Sequence, residues 1–166
     1  CESHPLDFQP ELLKLMKKAG CTEIKVGLET THPGLLQEWG RVACAEEAEQ
    51  YLARVAALVQ ICRELEVRCH LFLMVGVPGQ TKETLRATHD YLAKVCPPSI
   101  NVKFFHPYGG IALPGAAAQG LGAQEAVDFS RRLQDCQTPL DHKRRRFHFP
   151  PFGIPSRRGS RVGPSP

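Results

Sequence analysis

Most short signatures of enzyme chemistry are missing from these 166 residues. There is no G-x-S-x-G, no G-x-x-x-x-G-K-[ST], no H-E-x-x-H and no G-x-G-x-x-G, so hydrolase, nucleotide-triphosphatase and dinucleotide readings lack their usual supports. No apolar run approaches the roughly 20 residues of a membrane span, and no signal peptide opens the chain. Aromatic residues make up 7% and include one tryptophan, Trp39, which reads as a helix-packing residue. Seven cysteines are present, at 1, 21, 44, 62, 69, 96 and 136, but none are paired as C-x-x-C. An odd count without a secretory signal points to reduced thiols and a cytoplasmic protein. His4, His32, His70, His89 and His106 lack metal-ligand spacing.

What is present is an ordinary globular composition, 42% hydrophobic and 23% charged. The length suits one domain and falls short of a full (β/α)₈ barrel of about 250 residues. The net charge of +4 comes from the end of the chain. Residues 141–166 hold seven Lys/Arg against Asp141, which leaves the first 140 with 14 basic and 16 acidic residues. Lys143-Arg144-Arg145-Arg146 and Arg157-Arg158 sit among Pro, Gly and Ser, the composition of a disordered basic tail.

The most informative stretch is Leu71–Thr81, LFLMVGVPGQT. Its apolar run to Val75 predicts a strand covered on both faces, broken by Gly76-Val77-Pro78-Gly79, where a tight turn can bring bare backbone amides to a ligand. Around it, helices are predicted from Pro10 to Ala19 with an apolar stripe of Leu12, Leu13, Met16 and Ala19, at Leu35–Trp39, over Ala45–Glu66, over Lys82–Val95 and over Ala123–Cys136. Further strands are predicted at Glu23–Leu28 and Ile100–His106. Regular alternation implies parallel strands with right-handed crossovers, an open α/β sheet or part of a barrel. Cys1, where Met is absent, stands at what reads as a strand end, so the chain is expected to be a fragment preceded by an amino-terminal part.

All three predicted strand ends carry unusual residues: Gly27-Leu28-Glu29-Thr30, Gly76-Val77-Pro78-Gly79-Gln80 and His106-Pro107-Tyr108-Gly109-Gly110. In sheets and barrels of this class such ends share one face, where ligands bind, so one site built from the three segments is expected. Each has a plainer alternative. The Gly-Pro turn can be a plain turn, and Glu29 can simply cap the next helix.

Cys1-Glu2-Ser3-His4-Pro5, Glu11-Leu12-Leu13 through Met16-Lys17-Lys18-Ala19-Gly20-Cys21, Val26-Gly27-Leu28-Glu29-Thr30, Met74-Val75-Gly76-Val77-Pro78-Gly79-Gln80-Thr81 and Pro107-Tyr108-Gly109-Gly110 together resemble the carboxyl-terminal part of the radical S-adenosylmethionine (SAM) core, in the subgroup often joined to a cobalamin-binding domain. The resemblance covers about residues 1–114. It implies a partial (β/α)₆ TIM-barrel-like fold over 1–120, to which this chain supplies the last three strands, with a terminal helix over 121–140 and the flexible tail beyond. The implied cofactors are SAM and a [4Fe-4S] cluster, with cobalamin in a domain ahead of this chain. The cluster's three ligands, C-x-x-x-C-x-x-C, do not occur in these residues and are expected upstream.

Carried over residue by residue, Glu29 and Thr30 resemble the strand end that contacts the methionyl or ribose part of SAM. Arg41 resembles a basic residue after the short helix that pairs with a carboxylate. Gly76, Pro78 and Gly79 resemble the turn along the adenine, with Gln80 beside it where Glu is common. Pro107, Gly109 and Gly110 resemble the last-strand turn, here followed by Ile111 rather than Thr. The partners implied are the amino-terminal half of the same protein and an unidentified substrate, without a membrane. In isolation the chain is expected to be inactive. The alternative is a non-catalytic α/β half-barrel whose basic tail binds nucleic acid or another polyanion.

Overall fold

The computed structural model describes residues 2–106 and 121–137. They form strand β1 (Glu2–Ser3), helix α1 (Pro10–Lys18), β2 (Glu23–Glu29), α2 (Pro33–Glu38), α3 (Ala48–Glu64), β3 (Arg68–Val75), α4 (Lys82–Val95), β4 (Ser99–Phe104) and α5 (Ala123–Asp135). The four strands make one parallel sheet in the order β1-β2-β3-β4. Right-handed crossovers between sequential parallel strands keep every helix on one side, which is how a barrel wall is built; a doubly wound sheet reverses its strand order. The four-stranded parallel α/β sheet is thus part of a TIM-barrel-like fold.

Burial follows that geometry. Ile24, Val26 and Leu28 of β2, Leu71, Leu73 and Val75 of β3, and Ile100 and Val102 of β4 alternate onto one buried face. There they join Leu13 of α1, Val55 and Val59 of α3, Leu92 of α4 and Leu133 of α5 in a single core. The alternate residues, Phe72 and Met74 among them, are only half-buried. This corrects the expectation that Leu71–Val75 is covered on both faces: within the described residues the helices cover one.

The helices lie close to where periodicity puts them, with instructive exceptions. Lys82–Val95 is helical throughout, opened by a reciprocal cap in which Thr81 and Thr84 bond each other's backbone. The helix expected to start at Ala45 begins with a 3-10 turn, Ala45–Glu47, and is regular only over Ala48–Glu64. In α1 the expected inward stripe fails at two positions. Leu12 is 43% exposed and Ala19 is exposed, while Leu13 is fully buried. A nine-residue helix touching α3 along a narrow seam has room to bury little more than Leu13 and Met16. The tail beyond residue 137 lies outside the described residues.

Candidate active site at the carboxyl ends of the strands

Strand β2 ends irregularly. Its pairing with β3 shifts between Gly27 and Glu29, and Glu29 has φ +65°. The other described non-glycine residues with positive φ, Glu66 and Cys96, follow helix ends, where left-handed backbone is common. At a strand end the conformation is strained by about 1 kcal/mol and, with the bulge, re-aims the side chain. The Glu29 carboxylate folds back over Gly27: a Cβ there would stand 2.5 Å from Glu29 Oε1 and 3.1 Å from Arg41 Nη2. Gly27 is glycine because two side chains occupy the space above it.

Arg41 Nη2 donates to Glu29 Oε1 at 2.7 Å. The pair is largely shielded, with side-chain exposures of 24% and 16%. Burial pushes the Glu29 carboxyl above the usual carboxylate range, and the neighbouring Arg41 cation pulls against it without prevailing. Tyr51 of α3 approaches from below and donates its hydroxyl to the Gly27 carbonyl at 3.4 Å. Its own pKa is pushed up to about 12, chiefly by burial. The His4 ring, after β1, lies 5.9 Å from the Tyr51 ring. His4 Nδ1 accepts from the Leu6 amide, and burial, then Arg41, hold its pKa below the ordinary value. A neutral imidazole whose Nδ1 accepts carries its proton on Nε2.

Strand β3 ends differently. Gly76 (φ +84°) and Gly79 (φ +76°) adopt left-handed backbone that side chains resist. Gln80, 2% exposed, is turned inward: its Oε1 accepts from the Gly76 amide at 2.7 Å and its Nε2 donates to the Met74 carbonyl at 3.2 Å. The Gly76 amide is therefore not bare, contrary to the expectation from sequence. Helix α2 ties the two ends together. It leads from Thr30 toward Arg41, and Leu35 Cδ2 lies 3.4 Å from where a Gly79 Cβ would be. Its last turn packs Trp39 edge-on to Phe105, with ring centroids 5.4 Å apart, just past the end of β4.

Of the residues singled out in the sequence, the structure brings Glu29 and Arg41 into direct contact. Thr30 is buried beside them, accepting through its hydroxyl from the His32 amide. Gly76, Pro78, Gly79 and Gln80 form the neighbouring turn. Pro107, Gly109 and Gly110 lie outside the described residues. The plain capping role for Glu29 does not hold, since the cap of α2 is His32. Sequence reasoning missed His4 and Tyr51; Gly27 inside a strand was the one signal of close approach.

The chain has been compared with known proteins. A profile of the radical SAM superfamily matches residues 1–92. The chain belongs to the radical SAM superfamily. Tryptophan 2-C-methyltransferase of Streptomyces laurentii is 27% identical over 153 residues, which are 84% of this chain and 25% of that protein. The solved radical SAM methyltransferase TsrM of Kitasatospora setae, with cobalamin and a [4Fe-4S] cluster bound, is 28% identical over 62% of this chain and 19% of its own, at a TM-score of 0.53. The same enzyme has been solved with tryptophan substrate and a SAM analogue. Coproporphyrinogen III oxidase (HemN) of Escherichia coli, 18% identical, matches in fold at a TM-score of 0.63 over 78% of this chain and 29% of its own. The chain thus spans about a quarter of the length of the curated relative it matches.

Radical SAM proteins are known for two groups that this chain can be tested against. The [4Fe-4S] cluster does not fit: C-x-x-x-C-x-x-C is absent, and no three potential ligands converge among the described residues. SAM fits better. Arg41 uses one guanidinium nitrogen on Glu29, and neither its remaining N–H groups nor Glu29 Oε2 has a hydrogen-bond partner among the described residues. An acceptor and a cluster of donors side by side match the ammonium, carboxylate and hydroxyl groups of such a ligand.

Proposed function

We propose that this chain is the SAM-holding part of a radical SAM enzyme, with Glu29 and Arg41 gripping the methionyl and ribose end and the Gly76–Gln80 turn lining the adenine. The observation that carries the reading is the Glu29–Arg41 pair, strained into place on a bulged strand end with donors and an acceptor left open. Bound here, SAM would supply a 5′-deoxyadenosyl radical if an iron–sulfur cluster cleaved it reductively, with methionine as the other product, or an electrophilic methyl group if it stayed intact. The chain's own part is to bind and orient it. Glu29 Oε2 accepts from a ribose hydroxyl or the ammonium, Arg41 donates to the carboxylate, and Gln80 keeps the adenine turn rigid from within. The last-strand residues Pro107, Gly109 and Gly110 complete the adenosine side in this reading.

A finer reading is favoured by the likeness to the tryptophan methyltransferases, which runs over 84% of the chain. In it the whole protein uses cobalamin carried by another part and acts on an aromatic amino acid or a related acid. The test is to express the whole protein containing this chain, reconstitute it anaerobically, and assay 5′-deoxyadenosine, methylated products and SAM binding. SAM binding that Glu29→Gln and Arg41→Met each weaken about tenfold or more is the expected result. A protein that ignores SAM but binds RNA or anionic lipid through residues 141–166, losing affinity with salt, overturns it in favour of a binding module.

A further inference from the structure

Glu29 occupies a turn that the strand ladder does not hold. The Thr30 amide donates to the Leu28 carbonyl at 2.8 Å, closing a three-residue loop around Glu29. With φ +65° at the centre this is the positive-φ form of the γ-turn, the rare and strained one. Ladder support gives out at the same place. The described pairing of β1 stops at Val26, and Leu28 is the residue left over where pairing with β3 slips from Gly27 with Phe72 to Glu29 with Leu73. A strained turn persists only where its surroundings over-determine it. Above this one lies the Arg41 guanidinium, and below it the Tyr51 hydroxyl reaches the strand from the helix layer.

That hydroxyl donates to the Gly27 carbonyl at 3.4 Å, and Tyr51 is 3% exposed, too deep to touch a ligand on the open face. At this length the bond contributes little to folding; its consequence lies in what it holds. Burial is the main cause of the raised Tyr51 pKa, with Arg41 pulling it down and Glu29 pushing it up, so the hydroxyl stands within the field of both members of the pair. Gly27 is also the residue over which Glu29 Oε1 and Arg41 Nη2 fold, 2.5 Å and 3.1 Å from where its Cβ would be. It thus carries the ion pair over its Cα and the tyrosine on its carbonyl. The fold contains a matched control. Tyr91 of α4 donates to the carbonyl of Leu52, next to Tyr51 on α3, at 2.7 Å, and burial raises its pKa too. That bond ties two helices together within the helix layer.

We propose that Tyr51 is a positioning residue of the candidate site: by holding the Gly27 carbonyl from within the core it keeps the Glu29 turn, and with it the carboxylate, set across Arg41 for the ligand. The proposal rests on the preceding reading in one respect, that the ligand is SAM. Without the hydroxyl the Gly27 peptide is free to rotate, the bulge loses one of its fixed points, and the strained φ at Glu29 relaxes in a share of the molecules. Affinity then falls with the share that remains competent, since only that conformation binds.

The experiment uses the whole reconstituted protein and compares the wild type with Tyr51→Phe, Tyr91→Phe, Glu29→Ala and the double variant Tyr51→Phe/Glu29→Ala. Two quantities are read: hydrogen exchange at the Thr30 amide without ligand, and SAM affinity by calorimetry. Tyr51→Phe, which keeps the ring beside His4, should speed Thr30 exchange and weaken SAM binding about three- to tenfold. Tyr91→Phe should lower the melting temperature at least as far while leaving both quantities as in the wild type. In the Glu29→Ala background Tyr51→Phe should cost little further affinity, because a residue that acts through Glu29 has nothing left to position. Unchanged Thr30 exchange in Tyr51→Phe overturns the proposal, as does unchanged affinity in a protein that binds SAM. Equal losses of affinity from the two tyrosine variants overturn it too, since any weakening around α3 would then do the same. So does a fully additive loss in the double variant, which would put Tyr51 on a route that bypasses Glu29. A wild type that does not bind SAM counts against the cofactor reading alone, since Thr30 exchange still decides what Tyr51 holds.

Discussion

The ends of β2 and β3 are neighbours on one rim, yet their polar groups are directed oppositely. At the end of β2 a carboxylate is held in left-handed backbone, half-closed by Arg41, with an oxygen and several N–H groups left facing outward. At the end of β3 the single polar side chain is turned inward, and Gln80 closes the turn on Gly76 and Met74. The first arrangement tolerates strain to present chemistry, and the second removes strain to hold a shape. Two residues that look equally functional in a sequence, an acid and an amide each at a strand end, therefore have different work.

The comparison can be broken by substitution. Glu29→Ala should have the largest effect on binding, a loss of SAM affinity of the whole protein of roughly tenfold to 100-fold, because a charge-assisted hydrogen bond of about 1.5–3 kcal/mol disappears. Equilibrium binding would reveal it, and an unchanged affinity would place the cofactor elsewhere. Gln80→Leu should act on stability instead. It leaves the buried ends of the turn, the Gly76 amide and the Met74 carbonyl, without partners, at a cost of about 2–4 kcal/mol. Faster hydrogen exchange at the Gly76 amide is the direct sign.

Gly27→Ala sharpens the comparison from the other side. Its Cβ would stand 2.5 Å from Glu29 Oε1, so the carboxylate must swing away. SAM affinity should fall about tenfold while the sheet stays folded, which parallel binding and far-ultraviolet dichroism measurements would separate. The smallest effect expected is on pH dependence. The folded-state pKa of Glu29 is raised, so the folded protein keeps a proton that the unfolded chain has released. Stability should then fall as pH rises from the ordinary carboxylate range through the Glu29 value, and Glu29→Gln should flatten that slope. Denaturant unfolding at a series of acidic pH values measures it, and a slope of the opposite sign in the wild type would mean that Arg41 outweighs burial.

The alternation of helix and strand was legible because apolar spacing and Gly/Pro punctuation are local, and α4 at Lys82–Val95 shows how far that goes. Which faces are covered was not. The run Leu71–Val75 is apolar at every position, so no alternation marks Phe72 and Met74 as the open side; only the one-sided placement of the helices does. In α1, leucines at 12, 13 and 15 offer two possible faces, and packing against α3 chooses the one with Leu13. At the site, Glu29 and Arg41 were legible as polar residues near strand and helix ends, but their contact across 12 residues was not. It depends on a bulge and a positive φ that no spacing encodes. Tyr51 was hidden for a related reason, being one more apolar-phase residue of a long helix whose hydroxyl happens to reach a strand carbonyl.

The central claim is that the two strand ends divide binding from support, and a crossed measurement tests it most directly. SAM dissociation constants and Gly76 amide exchange would be recorded side by side for Arg41→Ala and Gln80→Leu in the whole protein. The account predicts that Arg41→Ala weakens SAM binding at least tenfold with little change in exchange, and that Gln80→Leu speeds exchange with a much smaller change in affinity at temperatures where the protein remains folded. Equal losses of affinity in both variants, or a SAM affinity indifferent to Arg41, would contradict it.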